Sequence, residues 1–337
     1  MNKELGIVTC FFNPCRYRSR RRNLHACLKG IQASGARILL VELLFGSASS
    51  EAPAGDYELL RLHSESVMWQ KERLLNVGTK ELLKDCDYVA WIDADIVFEN
   101  TSWLRNVVRA LQEHTVVSVA GRAYAFGETI ELPACRLLRR SQLTSIGSGY
   151  GWAYRAELLN RVEWYDKFIV GGGDSALFFT SLVGSASQRP GGTWVCIDLN
   201  RPLEPEVFHC LQDVCDVYRA PIGPQHFAAP LEIWKQIEYL AKGIGSNATA
   251  DYLRWSRDWV AAMGSGTVGF ARNKITVLPH GRRQDRRHQS RRSILPRHKF
   301  DPKADIVHDG GAYSWSSPKP DLHREVLNYF SSRKEDD

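Results

Sequence analysis

Short apolar runs alternate with amphipathic stretches over the first part of the chain, and the alternation reads as strands and helices in turn. LGIVTCFF (5–12) is a continuous apolar run, the mark of a strand buried on both faces, and the segment from Arg18 to Ser34 has helical spacing. ARILLVEL (36–43) and DYELLRLH (56–63) follow as strands, VMWQKERLLNVGTKELL (67–83) as a helix, and DYVAWIDADIVF (87–98) as a further buried strand. A helix near 102–113 and a strand VVSVAG (116–121) extend the series. This order predicts an α/β domain with a largely parallel central sheet. Ligands in open sheets bind beyond the carboxyl ends of the strands, so chemistry is expected where the 87–98 strand ends.

From about residue 200 the pattern loosens. Pro202, Pro205, Pro221, Pro224 and Pro230 punctuate the chain before a helical stretch at 231–262. TVGFARNKITVLPH (267–280) reads as a strand that returns to the sheet, followed by a basic extension containing Trp and His. The chain therefore divides into a ligand-binding core (1–200), a mostly helical insertion (201–265) and a segment that completes the site (266–337). No internal repeat is present.

Composition narrows the class. A chain of 337 residues, 44% of them apolar, can fill a sizeable core. No apolar stretch reaches the roughly 18 residues of a membrane span, and the amino terminus lacks the apolar segment of a secretory signal, so a soluble protein is expected. The eight cysteines are scattered, without paired C-x-x-C spacing, which fits reduced thiols in the cytoplasm. His209, Cys210 and Cys215 lie close together, but a fourth zinc ligand is not evident. The formal charge of +6 is uneven: residues 16–22 carry five arginines, and residues 272–299 carry ten Lys/Arg against one acid, Asp285. Two basic concentrations in an otherwise acidic chain point to an anionic ligand: a diphosphate, a nucleic acid or an acidic lipid surface.

In WIDADIVFEN an apolar strand leads into Asp93, Ala94 and Asp95. On an extended backbone residues i and i+2 share a face, so both carboxylates can turn to one divalent ion. Hard oxygen ligands suit Mg2+ or Mn2+, which keep positions open for phosphate oxygens. A pair of solvated acids after a strand has the same sequence, since isolated D-x-D triplets are common.

The wider pattern carries more. WIDADIVF resembles the D-x-D signature of GT-A nucleotide-sugar glycosyltransferases. FFNPCRYRSRRRN, VMWQKERLLNVG, GSGYGWAYRAELL, GGGDSALF, LPHGRRQDRR and KPDLHREVLNYFSSRKED occur in an order similar to that of a group of bacterial and viral GT-A-like proteins. The resemblance spans most of the chain and is weakest over 200–265. It implies a single GT-A, Rossmann-like domain with a helical acceptor-side insertion and a C-terminal extension. It also implies a nucleotide-sugar donor, uridine-linked, and a bound Mn2+ or Mg2+. The second acid, Asp95, would bind the metal directly, and Asp93 would serve the metal or the ribose. His280 in LPHG matches the late histidine that completes the metal shell in many such enzymes. Asp174, after GGG, matches the base that takes the acceptor's proton in inverting families; as an N-cap it would need no such role.

On the same footing, Thr9 and Phe11 would lie beside the base, and Arg18 would open a helix whose amino terminus can meet phosphate. Arg73 and Asn76 become donor contacts, and Trp152 a stacking face for a sugar. Phe11 and Trp152 are equally suited to the core, and the Lys71–Glu72 pair reads as an ordinary feature of an amphipathic helix. Arg282, Arg283, Arg286 and Arg287 can neutralise a diphosphate or guide a polyanion. The acceptor is a glycan, a lipid-linked saccharide or a hydroxymethylated pyrimidine in DNA. Two competing classes are a non-catalytic nucleic-acid-binding module, which the basic segments fit, and a nucleotidyltransferase, which would release pyrophosphate.

Overall fold

The computed structural model describes residues 5–140, 147–186, 194–198, 226–282, 284–287, 290–308 and 310–336. Residues 201–225 of the expected insertion, Arg283, and the group His209, Cys210 and Cys215 lie outside the described residues.

The alternation read from the sequence forms the first half of the fold. β1 (Leu5–Phe12) leads through α1 (Arg18–Gln32) to β2 (Arg37–Phe45) and β3 (Glu58–Ser64), and then through α2 (Lys71–Leu82) to β4 (Tyr88–Ile92). Successive residues of β1 serve opposite faces: Val8 and Phe12 enter one apolar cluster, while Leu5, Ile7 and Phe11 enter the other. α1 covers the second cluster with Leu24, Cys27, Leu28 and Ile31, the spacing of one helical face.

The stretch 87–98 is not one strand. β4 ends at Ile92, and β5 (Ile96–Phe98) belongs to a different sheet. The backbone changes partners at the turn between them: the Asp93 amide donates to the Tyr150 carbonyl at 2.9 Å, and the Asp95 carbonyl accepts from the Leu278 amide at 2.7 Å. That handover lifts the acidic triplet out of the strand.

α3 (Trp103–Glu113) leads to β6 (Val116–Ser118), shorter than its apolar run implies, and then to the hairpin of β7 (Arg122–Ala125) and β8 (Glu128–Glu131). After α4 (Pro133–Arg140) come β9 (Gly151–Arg155), α5 (Ala156–Leu159) and α6 (Gly173–Ala186). β10 (Trp194–Asp198) and β11 (His226–Pro230) pair antiparallel and precede α7 (Leu231–Ile244) and α8 (Ser246–Met263). The returning segment is also two strands, β12 (Val268–Phe270) in the central sheet and β13 (Lys274–Val277) in the second.

The central seven-stranded sheet has the order β12-β6-β9-β4-β1-β2-β3, parallel except where β9 runs antiparallel to β4 and β6. This is the expected α/β class with a mostly parallel central sheet. The second sheet, β5-β13-β7-β8, stands beside it. α7 and α8 pack on α6, and the rings of α8 reach past it, Trp259 against Tyr154 of β9 and Tyr252 against Tyr165 and Phe168 ahead of α6. No helix among the described residues is long and apolar enough to cross a membrane.

The C-terminal segment contains α9 (Ile294–Arg297), α10 (Pro302–Asp305), the small ladder of β14 (Ile306–Val307) and β15 (Ser314–Trp315), and α11 (Pro320–Ser331). Its end folds back to the start of α1. The Asp336 carboxylate accepts from the Arg18 and Ser19 amides at 3.0 and 2.7 Å, capping α1, and Glu335 pairs with Arg20 at 3.2 Å.

Candidate active site

Chain order in the sheet reverses between β1 and β4: β2 and β3 lie on one side of β1 and β4 on the other. Such a switch point opens a crevice at the carboxyl ends of the strands. Thr9, on β1, braces it by donating its hydroxyl to the Ile92 carbonyl at 2.7 Å. Asp93 follows at once, and its carboxylate accepts from the Tyr150 amide at 2.9 Å. Tyr150 holds this geometry with a φ of 77°, in a region that side chains seldom adopt. The preceding glycine leaves room for both acids. A Cβ on Gly149 would stand 3.0 Å from an Asp174 carboxylate oxygen and 3.4 Å from one of Asp93, so its absence lets the two acids share one corner.

Between them sits Lys71, from the first turn of α2. Its Nζ lies 2.6 Å from Asp93 and 2.6 Å from Asp174, and 3.9 Å from the centre of the Trp91 ring. The lysine itself is buried, whereas the Asp93 and Asp174 side chains keep 25% and 28% of their surface open, enough to meet a ligand. Burial pushes the Asp174 carboxyl up, and Lys71 pulls it back. Glu72 is also buried; one of its oxygens has no partner, and burial together with Asp174 pushes its carboxyl up to about 8. Glu72 rests where a Cβ on Gly173 would lie, which ties the glycine run before Asp174 to this side chain.

Asp95 faces the other way. One of its oxygens is 3.3 Å from His280 Nδ1, and the other is buried without a partner. The Arg286 guanidinium reaches the same ring nitrogen at 3.1 Å. Burial holds the His280 imidazole below its ordinary range, and so neutral, despite Asp95 nearby. Burial raises the Asp95 carboxyl, and His280 partly offsets this.

These donors fit a divalent cation. A buried carboxylate oxygen without a partner beside a neutral imidazole is what a cation would complete, and Mn2+ or Mg2+ would leave other positions to water and phosphate. No group of three or more His, Cys, Asp or Glu side chains is gathered as a metal site among the described residues. Asp93 is instead drawn to Lys71.

The structure thus brings Asp93, Asp95, Asp174 and His280 to one region. The other expected contacts take internal partners. Phe11 is buried in the core behind β1, and Arg18 is exposed with its amide on Asp336. Arg73 donates to the Gly311 carbonyl and pairs with Asp166 at 3.6 Å, and Asn76 exchanges hydrogen bonds with the Trp164 backbone. These two polar side chains bind the segments around 311 and 164 to α2. Trp152 is fully buried: its ring packs on Phe178 and its Nε1 donates to the Ser148 carbonyl, leaving no face for a sugar. Of the late arginines, Arg291 donates to the Tyr329 hydroxyl and Arg292 lies 4.2 Å from the Tyr239 ring centre, so neither projects as part of a polyanion track.

Lys71 and Glu72 were missed by sequence reasoning, although a signal existed. Lys71 heads the stripe Leu74, Leu75, Gly78 and Leu82, at helical spacing on the side of α2 that packs inward.

No protein-family model matches the chain, and no curated protein matches its sequence. Solved structures similar to it include glucosyl-3-phosphoglycerate synthase from Mycobacterium tuberculosis in complex with Mn2+, UDP and phosphoglyceric acid. That alignment is 13% identical, covers 53% of this chain and 64% of that one, and has a TM-score of 0.34. A second is the catalytic domain of Drosophila β1,4-galactosyltransferase 7 in complex with xylobiose, 13% identical over 52% of this chain and 59% of that one, with a TM-score of 0.31. The chain spans less than two thirds of the length of either. Likeness of this degree leaves the chemistry to be read from the side chains themselves.

Proposed function

We propose that this protein is a metal-dependent glycosyltransferase that moves a sugar from a nucleotide-sugar donor, uridine-linked, to an acceptor hydroxyl with inversion. The observation that carries the reading is the pairing, at the switch point of the sheet, of a cation seat with a separate carboxylate. The seat is Asp95, with its unpartnered buried oxygen, beside His280. The separate carboxylate is Asp174, open to a ligand and held by Lys71. A divalent cation bound there supplies Lewis-acid stabilisation of the departing diphosphate.

The chain's own residues do the rest. Asp95 and His280 would hold the cation, with Asp93 on the same turn as Asp95. Asp174 accepts the proton of the acceptor hydroxyl as its oxygen bonds to the anomeric carbon. The bond from that carbon to the diphosphate oxygen breaks, and the electron pair leaves with the nucleoside diphosphate. Arg286, half-buried beside Asp95 and His280, adds positive charge on the side of the leaving group.

The test is a panel of nucleotide sugars incubated with the protein and Mn2+, with products read by mass spectrometry. Nucleoside diphosphate release from one donor, lost on chelation, supports the reading. Release of pyrophosphate would place the protein among nucleotidyltransferases, and no turnover of any donor would overturn it.

A further inference from the structure

Lys71 has a geometry that a structural ion pair does not need. An ammonium group has three N–H donors. Here the nitrogen is 2.6 Å from Asp93 on the D-x-D turn, 2.6 Å from Asp174 on α6, and 3.9 Å from the centre of the Trp91 ring. Every direction in which it can act is taken, and the side chain is buried. The two acids approach one another at Gly149, and the ammonium lies between them. One of the two belongs to the triplet whose other acid, Asp95, forms the cation seat, and the other is the proposed base.

We infer that Lys71 is an internal cation that competes with the divalent ion for Asp93, and is thereby the positioning residue that couples donor loading to Asp174. The inference rests on the glycosyltransferase reading. With the cation absent, Lys71 divides its hydrogen bonds between Asp93 and Asp174. With the cation drawing on Asp93, the ammonium is left to Asp174 alone, and the base is fixed in one orientation on the acceptor side. Loading of the donor side and readiness of the base are then one event, carried by a single side chain.

The account makes two effects of opposite sign from one substitution. Lys71→Met removes the competitor, so Mn2+ binding should tighten, by roughly threefold to tenfold, as expected for one charge at a partly open site. Sugar transfer should fall by about 10²-fold, because the base loses its orientation. A strut needed only for folding would lower both together. Lys71→Gln, which keeps hydrogen bonding without the charge, is the second variant should Met prevent folding. Lys71→Met combined with Asp174→Asn should transfer no more slowly than Asp174→Asn alone, since Lys71 acts through Asp174.

Mn2+ affinity is read by electron paramagnetic resonance on the full chain, with Asp95→Ala as control. If the wild type binds Mn2+ and Asp95→Ala does not, the cation seat stands, and the Lys71 variants decide the coupling. Unchanged or weaker Mn2+ binding in folded Lys71 variants would overturn the coupling alone. Binding by Lys71→Met but not by the wild type would support it in its strongest form. No Mn2+ binding by any of them would overturn both.

Discussion

The two acids of the D-x-D triplet stand two residues apart and live in different chemistry. Asp93 is satisfied within the chain, with one oxygen on Lys71 and the other on the Tyr150 amide. Asp95 is not: it has one oxygen near His280 and one buried with nothing to meet it. Unmet buried polar groups cost about 1–3 kcal/mol each, and a bound ion is one way to meet them. A triplet read as one metal clamp therefore has two ends, one engaged by Lys71 in the metal-free protein and one left open for a cation.

Apart from loss of the cation seat itself, the largest effect is expected beyond the end that Lys71 engages, at Asp174. Asp174→Asn should lower transfer by roughly 10²-fold or more, because Asn cannot take the proton, while nucleotide affinity changes little. Asp174 lies inside the first turn of α6 and so is not its N-cap; near-normal transfer would reduce it to a structural partner of Lys71.

The next effect is on stability, and its sign separates the two acids. Asp93→Asn leaves Lys71 with one carboxylate and should destabilise the metal-free protein by about 1–3 kcal/mol, less than for a fully buried pair because the site is partly open. Asp95→Asn removes an unmet charge and should be neutral or stabilising. Urea unfolding of both variants without metal checks this, and equal destabilisation would erase the distinction.

Glu72 gives a pH signature. Its carboxyl sits at about 8 in the fold against an ordinary 4.5, so the folded chain holds a proton that the unfolded chain has lost. Its contribution to stability is full below 4.5 and declines as pH rises through about 8. Glu335 runs the opposite way. Burial pushes it up, but Arg20 and Arg333 hold it at about 2, so its contribution is present above 4.5 and fades as pH falls through about 2. Glu72→Gln should flatten the decline of the urea midpoint on the alkaline side and leave the acid side alone. An unchanged alkaline slope would mean that Glu72 is ionised in the fold.

The smallest effect lies at the tail. Asp336→Ala removes the carboxylate from the amides that open α1 and should cost about 0.5–1 kcal/mol, read as a shift in urea midpoint. No shift would mean that water serves those amides equally well.

The sequence made the frame legible where periodicity is local: the runs at 5–12 and 36–43 and the face of the helix after Arg18 need only their neighbours to be read. The break inside 87–98 was hidden, because it depends on Tyr150 and Leu278, far along the chain, taking over the backbone bonds of residues 93 and 95. Asp95 and His280 were legible as a pattern of motifs, and the fold places them 3.3 Å apart. The roles expected of Trp152, Arg73 and Asn76 came from residue type, but their burial is a tertiary property. So is that of Lys71, whose partners come from β4 and α6; only its place on the stripe of α2 announced it.

The central claim is that Asp95 seats a cation on which donor turnover depends. The direct measurement is the rate of nucleoside diphosphate release from the accepted nucleotide sugar, with Mn2+ and after chelation, for the wild type and for Asp95→Ala. The account predicts release by the wild type with Mn2+, none after chelation, and none from Asp95→Ala in either condition while its fold is kept. Undiminished release by Asp95→Ala, or by the chelated wild type, would contradict it.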